Sequence, residues 1–595
     1  MLRRVTLQTD FCIVGGGMAG ICAAISAARQ GVHVVLMHER PVLGGNASSE
    51  IRMWICGAHG DNNRETGILE EIALENLYRN PTKNYYIWDT VLYDFIMREP
   101  NITLLLNCTC MDAQTKVGNF PHGREIEIQS VTGYQMTTQT FFDVSATYFA
   151  DCSGDSILAP LTGAACRSGR EGKHDFGEPT HVEVADDLHM GMSLLLQGRE
   201  TTQNIPFTPP SWALKLQAED FNNRHLNIHT SWENYWYLEL GGNRHAIHDT
   251  EEVSKELLPL ALGTWDYIKN SGNQSADTWE LDFLGFLPGK RESRRMVGAY
   301  TITANDILQN RDFPDVVAYG GWPIDDHYPD GFYHKGQPNT NILPDMPYRI
   351  PYRSLYSANV SNLFFAGRNI SMTHMAMSSL RVMATCGLMG QAVGTAVAVA
   401  KCYGTTPHGV YQDHIQEVQE RLMQADCYLP SRTRHISPLC QQTEVLGGND
   451  TLKNGHDRPN PYDNGVGCGV AVSHGEALTY LFEQSQRIRG VHITFDSDLN
   501  RATLPGDFCE QSHGMRCNTL LTSPQMHLPL TLCKSFVLEV KREGGWEAVL
   551  SVDDNRVRTY HLPLCQDVWG IRLVPFENWG ETSATTVFSF DFEEM

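Results

Sequence analysis

The segment that most constrains how this chain can fold is DFCIVGGGMAG, at residues 10–20. An apolar run at 11–14 predicts a short buried strand that leads directly into the glycines. The small apolar residues at 21–30 predict a helix, and 33–37 has the pattern of a second strand. Strand, glycine turn, helix and strand in this order are typical of the first unit of a Rossmann-type α/β domain.

The glycines of this segment, Gly15, Gly17 and Gly20, form the pattern G-x-G-x-x-G. The first allows a tight turn, the second lets the backbone approach a pyrophosphate, and the third lets helix and strand pack closely. In the first helical turn, N–H groups such as those of Met18 and Ala19 have no partner within the helix and present the positive end of its dipole. These residues are predicted to bind a dinucleotide; the alternative is an ordinary strand–turn–helix connection.

The end of the second predicted strand carries an acid that supports this prediction. Glu39 lies nineteen positions after the last glycine of the motif and can accept both hydroxyls of an adenosine ribose. Arg40 follows it, and the loop PVLGGNASSE at 41–50 comes next. We expect this loop to wrap the dinucleotide, with a plain surface turn as the alternative. Its predicted contacts are Gly45, Asn46 and Ser48.

Two later glycine turns complete the predicted nucleotide site. The strand that ends in DCSGD, at 151–155, supplies Asp151 and Gly154. The strand that ends in NLFFAGRN, at 362–369, supplies Gly367. After it, residues 378–400 are rich in small side chains, which predicts one long helix packed very closely against the sheet or the cofactor.

Taken together, GGGMAG with Glu39, DCSGD and NLFFAGRN resemble the FAD-dependent oxidoreductases of the glutathione-reductase-like superfamily. More narrowly, the chain resembles the bacterial FAD-dependent oxidoreductase family that includes xanthan-lyase-related proteins. The likeness covers roughly residues 8–430 and includes GGNASSEIRMW, LPGKRESRR and GGWPIDDH. It implies bound FAD. The superfamily pattern has an acid after the last turn glycine, where this chain has Arg368 and Asn369, so the contact at Gly367 is the firmer expectation.

The order of patterns predicts an α/β fold with two additions. Residues 1–165 form the first part of the FAD-binding domain, with a β-meander at about 103–147, and residues 351–435 return to it. Between them, 166–350 are predicted to form a substrate or cap domain. From 440 to 595, short alternating segments predict an antiparallel β-sandwich. Its order is weakly similar to galactose-binding-like jelly rolls, so it would bind sugar or, alternatively, serve packing or dimerisation in a homo-oligomer.

Four side chains are candidates for catalysis. His374 and His327 suit proton transfer because an unperturbed imidazole titrates near neutrality. We expect His374, before the long helix, to face the flavin, and His327 to approach from the cap; an N-cap histidine is the alternative for the first. Arg381 and Arg294 could hold a carboxylate or a developing oxyanion. The cluster around Arg294 has a second interpretation, an ion-pair face exposed to solvent.

Composition narrows the partners. The net charge of −23 and the lack of a Lys/Arg-rich run argue against nucleic acid and anionic membranes. No export signal or membrane-length apolar run is apparent, so we expect a cytoplasmic protein with reduced cysteines. The cysteine spacing predicts no metal site.

Two functions remain open at this stage. The first is an oxidoreductase that moves a hydride between FAD and a small polar substrate, which family neighbours and the β-sandwich suggest is carbohydrate-derived. No second G-x-G-x-x-G is present, so its electrons come from the substrate or from a separate donor or acceptor. The second is a carbohydrate-binding or assembly protein with structural FAD.

Overall fold

The computed structural model describes residues 2–120, 123–180, 182–231, 233–344, 347–459, 468–501, 515 and 518–595. Contacts divide the chain into two compact units. The first comprises Met1–Ala58, Thr82–Ile415 and His513–Gln525, and the second His59–Pro81, Gln416–Ser512 and Met526–Met595. Each unit is described here by itself.

The strands of the described chain are β1 (Arg3–Val14), β2 (Val34–Met37), β3 (Ile102–Leu105), β4 (Cys108–Phe120), β5 (Gly123–Gln135), β6 (Thr140–Asp151), β7 (Cys166–Arg167), β8 (Met192–Ser193), β9 (Leu196–Glu200), β10 (Glu239–Leu240), β11 (Trp279–Leu284), β12 (Gly289–Lys290), β13 (Arg295–Met296), β14 (Val316–Gly320), β15 (Ile324–His327), β16 (Asn339–Ile342), β17 (Tyr348–Pro351), β18 (Leu363–Phe365), β19 (Val445–Leu446), β20 (Val470–Ser473), β21 (Leu478–Phe495), β22 (Cys533–Arg542), β23 (Gly545–Val552), β24 (Thr559–Asn578) and β25 (Ala584–Glu594). The helices are α1 (Met18–Arg29), α2 (Ile68–Arg79), α3 (Tyr85–Met97), α4 (Leu158–Thr162), α5 (Lys173–Phe176), α6 (Thr250–Asn270), α7 (Ala304–Leu308), α8 (His374–Leu380), α9 (Met383–Tyr403), α10 (Pro407–Gly409), α11 (Ile415–Gln424) and α12 (Pro438–Gln442).

The first unit is built on the predicted Rossmann-type α/β core. Its main sheet has the order β3-β2-β1-β6-β5-β4, and β18 pairs with β6. β1 runs parallel to β2 and β6, and β18 runs parallel to β6, so the three glycine turns follow neighbouring parallel strands. Because such turns meet at the carboxyl edge of the sheet, the topology gathers all three predicted nucleotide loops. The predicted meander is the antiparallel run β4-β5-β6.

Helices α1 and α9 pack very closely, as we predicted from the small residues of α9. A Cβ on Gly390 would lie 2.1 Å from the carbonyl oxygen of Ala19, and one on Gly394 would lie 2.4 Å from that of Ala23. Such distances leave no room for any side chain, so glycine is required at both positions.

The prediction of one helix over 378–400 is wrong in one respect. α8 ends at Leu380 and α9 begins at Met383, with Val382 in extended conformation between them. α9 is also long and apolar enough to cross a membrane, with a mean hydropathy of 1.4, contrary to the expectation that no such run exists. Since 94% of that apolar window is buried inside the protein, we interpret α9 as a core helix.

The predicted cap region has a hydrophobic core of its own but is not a separate compact unit. α6 and the aromatic run that precedes it supply much of this core, including Trp265, Tyr235 and Tyr237. Trp232, in the same aromatic-rich segment, lies outside the described residues. By its contacts, the region from 166 to 350 belongs to the first unit together with the nucleotide-binding sheet.

The second unit contains the predicted antiparallel β-structure, but its boundaries differ from 440–595. Its strands follow the order β20-β25-β21-β24-β22-β23, and the fold is β-sandwich-like. The early segment His59–Pro81 belongs to it, because Leu74 and Leu77 of α2 are buried in its core. The glycine- and asparagine-rich segment at 447–469 includes residues 460–467, which lie outside the described part of the chain.

Candidate functional site

The first glycine turn has room for backbone only. Gly15 has a φ of +111°, and a Cβ there would lie 2.3 Å from the carbonyl oxygen of Cys152. A Cβ on Gly20 would lie 1.9 Å from the carbonyl oxygen of Gly15. At Gly17 the nearest atom to such a Cβ is Cα of Gly45, at 3.9 Å. The turn is therefore closed beneath Gly15 and Gly20 and open above Gly17, where a pyrophosphate would approach the start of α1.

The second predicted loop lies against this turn. The N–H of Gly44 donates to the carbonyl oxygen of Gly16 at 2.9 Å. Asn46 donates through Nδ2 to the carbonyl oxygen of Lys290 at 3.1 Å, so its side chain connects the loop with the cap region. Ser48 is fully buried, yet its Oγ has no hydrogen-bond partner.

Glu39 lies at the carboxyl end of β2, as the ribose prediction requires. Its side chain is 45% exposed, and its carboxylate lies 3.1 Å from Nδ1 of His38 and 3.5 Å from Nε of Arg40. Burial opposes ionisation of Glu39, but His38 and Arg40 outweigh it and lower the pKa to about 2. Glu39 is therefore a carboxylate at neutral pH and can accept two hydroxyl hydrogen bonds.

Asp151 is not available to a cofactor, which corrects the prediction for this residue. It is fully buried, and its carboxylate accepts from the N–H groups of Ser153 and Leu158 and from Nδ2 of Asn369. It therefore fixes the turn after β6. The accessible acid of this turn is Asp155, which pairs with Lys290 at 2.8 Å and with Arg368.

The turn after β18 shows what Arg368 does at the position where the superfamily pattern has an acid. Gly367 has a φ of +112°, and the guanidinium of Arg368 lies 2.7 Å from the Asp155 carboxylate and against Gly154. Lys290 and Arg368 together lower the pKa of Asp155 against the opposing effect of burial. Asn369 is fully buried, and its Oδ1 has no hydrogen-bond partner.

A cavity of about 280 Å³ opens beside these loops within the first unit. It brings together the second loop, the cap region and the break between α8 and α9. Three tryptophans, Trp54, Trp236 and Trp322, supply large flat surfaces. Its other lining residues are Asn46, Ile51, Met53, Cys56, Ser193, Leu195, Gly289, Lys290, Arg291, Asp325, His327, Asn339, Asn341, Arg368, Arg381, Val382 and Met383.

One wall of the cavity is an ion network centred on His327. Its Nδ1 lies 2.6 Å from Glu239, and its Nε2 lies 3.4 Å from Asp325. Arg381 contacts the same Asp325 carboxylate at 3.1 Å, while Arg291 contacts Glu239 at 3.3 Å. The segment of His327 is the strand β15, paired with β16.

The pKa of His327 reflects two opposing effects. Burial alone would lower it, but the carboxylates of Glu239 and Asp325 raise the pKa above the ordinary 6.5. The pKa of Glu239 is lowered to about 2, because Arg291 and His327 outweigh the cost of its burial. The network therefore favours the protonated form of His327 and keeps the Glu239 carboxylate ionised at neutral pH.

His374 does not lie at the cavity. Its side chain is 3% exposed, with Nδ1 at 2.9 Å from Glu292 and Nε2 at 3.0 Å from Asp326. Burial is again outweighed by the two carboxylates, and the pKa of His374 is raised to about 10. Both ring nitrogens are occupied, so this imidazolium holds an ion cluster together.

The arginine cluster of residues 291–295 faces in several directions. Arg291 lines the cavity, whereas Arg294, the predicted candidate, does not and is half-buried. Arg295 is fully buried and pairs with Glu292 at 2.5 Å and with Glu171 at 2.8 Å. The alternative prediction of an ion-pair face exposed to solvent is therefore wrong for Arg295, whose ion pair with Glu292 is buried.

Sequence reasoning did not assign several residues of the site. Asp155 lies in the DCSGD segment and Arg291 in the LPGKRESRR segment, and in each case we predicted neighbouring residues instead. The sequence around Glu239 is rich in aromatic residues and does not indicate a functional site, because the partner of Glu239, His327, is 88 positions away.

Comparisons with known proteins were made for the whole chain. A family model described as FAD dependent oxidoreductase matches residues 10–422, more than half of the chain. The chain belongs to this family. It is an FAD-dependent oxidoreductase, and its cofactor is FAD. No curated protein matches it.

Solved structures are similar only at low scores. OxyS anhydrotetracycline hydroxylase from Streptomyces rimosus is 11% identical, covering 71% of this chain and 67% of its own, with a TM-score of 0.32. A geranylgeranyl bacteriochlorophyll reductase-like protein from Thermoplasma acidophilum is 10% identical, covering 71% and 84%, with a TM-score of 0.30. The family 32 carbohydrate-binding module of Streptococcus pneumoniae EndoD is 14% identical, covering 27% and 100%, with a TM-score of 0.18. At these TM-scores the likenesses carry no argument about function.

The residues present fit FAD. The loops that converge on the first glycine turn contain two buried polar atoms without partners, Ser48 Oγ and Asn369 Oδ1. A buried polar group left unpaired is costly, so a ligand that supplies hydrogen bonds satisfies both. The open surface above Gly17 accommodates the pyrophosphate, and the Glu39 carboxylate can accept the ribose hydroxyls.

Replacing Glu39 with alanine is expected to remove most of the bound flavin, because the adenosine ribose loses its two acceptors. The ratio of absorbance at the flavin maximum to that of the protein, measured after gel filtration, checks this. Glu252→Ala, which removes an exposed carboxylate paired with Lys255, is the control and should bind FAD like the wild type. Equal flavin content in the Glu39 and Glu252 variants would contradict the ribose assignment.

Proposed function

We propose that the enzyme transfers a hydride between FAD and a small polar substrate bound in the cavity, and that His327 moves the accompanying proton. The observation that carries this is the common location of His327, Arg291 and Arg381 in one cavity with Asn46 of the nucleotide loop. Oxidation of an alcohol breaks a C–H and an O–H bond, and the protein must accept the proton of the latter. FAD, when bound beside the cavity, would supply the acceptor for the hydride.

His327 is held for this role by its neighbours. Glu239, at 2.6 Å, accepts from Nδ1–H and fixes the orientation of the ring. Nε2 contacts only the more distant Asp325 carboxylate, at 3.4 Å, so it is the nitrogen that exchanges a proton with substrate. His327 must lose its own proton first in alcohol oxidation, whereas the raised pKa suits it to donate one in the reverse reduction.

His374 takes a positioning role in this proposal. Its partner Glu292 adjoins Arg291 of the cavity, and its partner Asp326 stands between Asp325 and His327. His374 itself begins α8, which ends one residue before Arg381. The buried imidazolium therefore connects three segments that each carry a residue of the cavity, and it fixes their spacing.

The lining of the cavity supports a carbohydrate-derived substrate. Tryptophan faces pack well against the C–H surfaces of sugar rings, and Trp54, Trp236 and Trp322 all line the cavity. Asn339 and Asn341 offer amide groups that donate to and accept from hydroxyls. A kinship with xanthan-lyase-related proteins fits the same chemistry. A separate protein or small molecule would complete the electron transfer.

Anaerobic mixing of the purified yellow enzyme with sugars, polyols and hydroxy acids tests the proposal. At least one class should bleach the flavin absorbance in a single turnover, with a rate that saturates with concentration. Dithionite serves as the control that the flavin can be reduced at all. If dithionite bleaches the flavin while none of these compounds does, a polar alcohol is not the substrate.

A further inference from the structure

Two arginines and one histidine that line the cavity meet two carboxylates. Arg291 pairs with Glu239, Arg381 pairs with Asp325, and His327 contacts both carboxylates, which favour its protonated form. The three basic side chains are each at most 14% exposed. Removing an uncompensated charge from water is costly, so an arrangement of this kind favours an anion in the enclosed space.

Arg381 is the group with hydrogen-bonding capacity to spare. Its Nη2 donates to the carboxylate and the carbonyl oxygen of Asp325. Its Nε is buried and has no hydrogen-bond partner. Arg291, by contrast, is held by Ser193, Glu239 and the carbonyl oxygen of Trp236. The guanidinium fork of Arg381 thus keeps a donor for a planar acceptor such as a carboxylate.

Two further cations line the cavity next to the nucleotide loops. Lys290 and Arg368 share the single carboxylate of Asp155, and Asn46 of the second loop binds the backbone of Lys290. Arg381 has different neighbours, because it shares the carboxylate of Asp325 with His327 and with Nε1 of Trp322.

We infer that the substrate is an acid: a small hydroxylated carboxylate, such as a sugar acid, whose carboxylate pairs with Arg381 while its reacting hydroxyl faces His327. This inference rests on the proposed function for the position of the substrate. It assigns to Arg381 the selection of charge, and to His327 the proton.

Binding to the oxidised holoenzyme tests the inference without requiring turnover. Calorimetric titration compares D-glucuronate with D-glucose and glycolate with ethylene glycol, so that each pair differs in the carboxylate. Each acid should bind at least about tenfold more tightly than its neutral counterpart, because hydrogen bonds to a charged group contribute about 1.5–3 kcal/mol. A neutral member that binds as tightly as its acid, or the absence of binding by either acid, overturns the inference.

Variants then test which residue produces the preference for the acid. Arg381→Gln should abolish the advantage of the acid and leave the affinity for the neutral compound within about twofold. Arg294→Gln, which removes a charge outside the cavity lining, should retain the advantage in full. A preference that survives Arg381→Gln in protein with normal flavin content overturns the assignment to Arg381. If Arg381→Gln fails to retain FAD, Arg381→Lys replaces it, and undiminished acid preference in that variant overturns the bidentate contact.

The readout distinguishes this inference from the proposed function. Acid-selective binding with no flavin bleaching leaves the carboxylate site in place and removes the hydride-transfer proposal. Bleaching of the flavin by neutral polyols, with no preference for acids in binding, supports the hydride-transfer proposal and removes the carboxylate site.

Discussion

Replacing His327 with glutamine should slow flavin reduction by substrate by about 10²–10⁴-fold, the usual contribution of a positioned acid or base. Glutamine keeps a polar group of similar length but cannot accept the proton. Flavin content should stay at the wild-type level, because His327 is held by Glu239 and Asp325 and has no place in the nucleotide loops. Anaerobic stopped-flow measurement of the flavin absorbance gives the rate.

The pH dependence of the rate of flavin reduction distinguishes proton transfer by His327 from a structural role. Since the pKa of His327 is raised above its ordinary 6.5 in the folded protein, the imidazole becomes a base only as the pH rises through that raised value. Flavin reduction in the wild type should therefore increase with pH in this range, and His327→Gln should remove the increase. His174→Gln, at an exposed histidine, is the control. A wild-type rate in His327→Gln would end the assignment.

Replacing Arg295 with methionine should destabilise the first unit by about 3–5 kcal/mol, the cost of breaking a buried ion pair from one side. Methionine fills much of the volume but leaves Glu292 and Glu171 without this counterion and removes donors to the carbonyl oxygens of Gly169 and Met372. Thermal unfolding followed by flavin release measures the effect.

The matched control is Arg244→Met. Arg244 also pairs with a glutamate, Glu256, but both side chains are about half exposed. Exposed pairs contribute about 0–1 kcal/mol, so this variant should unfold close to the wild type. If the two variants unfold at the same temperature, the cluster around His374 does not contribute to stability in the way that its burial implies.

The nucleotide-binding core could be predicted because its constraints are local. One strand–helix–strand unit is enough to explain why Gly15 and Gly20 must lack a Cβ. The same unit explains why an acid, Glu39, stands at the end of its second strand. The choice between the acids of the DCSGD turn could not be made in this way. Asp151 and Asp155 are four residues apart, and distant residues distinguish them: Asn369 helps to enclose the first carboxylate, whereas Lys290 and Arg368 pair with the second.

The cavity beside the nucleotide loops depends on long-range contacts. The break between α8 and α9 has no proline or glycine to announce it, and the bond from the N–H of Ala384 to the carbonyl oxygen of Cys56 holds the start of α9. The position of His374 before a helix suggested a place at the flavin. It could not reveal that Glu292 and Asp326 would occupy both of its ring nitrogens.

The early segment His59–Pro81 has a consequence for the order in which the protein forms during translation. α2 leaves the ribosome with Leu74 and Leu77 uncovered, and the strands that bury them lie more than three hundred positions later. At about 5–20 residues per second, this apolar surface waits for roughly 20–100 seconds until the last of these strands is made. During that time, chaperone binding would protect the nascent chain from aggregation, and stop codons anywhere before β25 would leave α2 with an incomplete core.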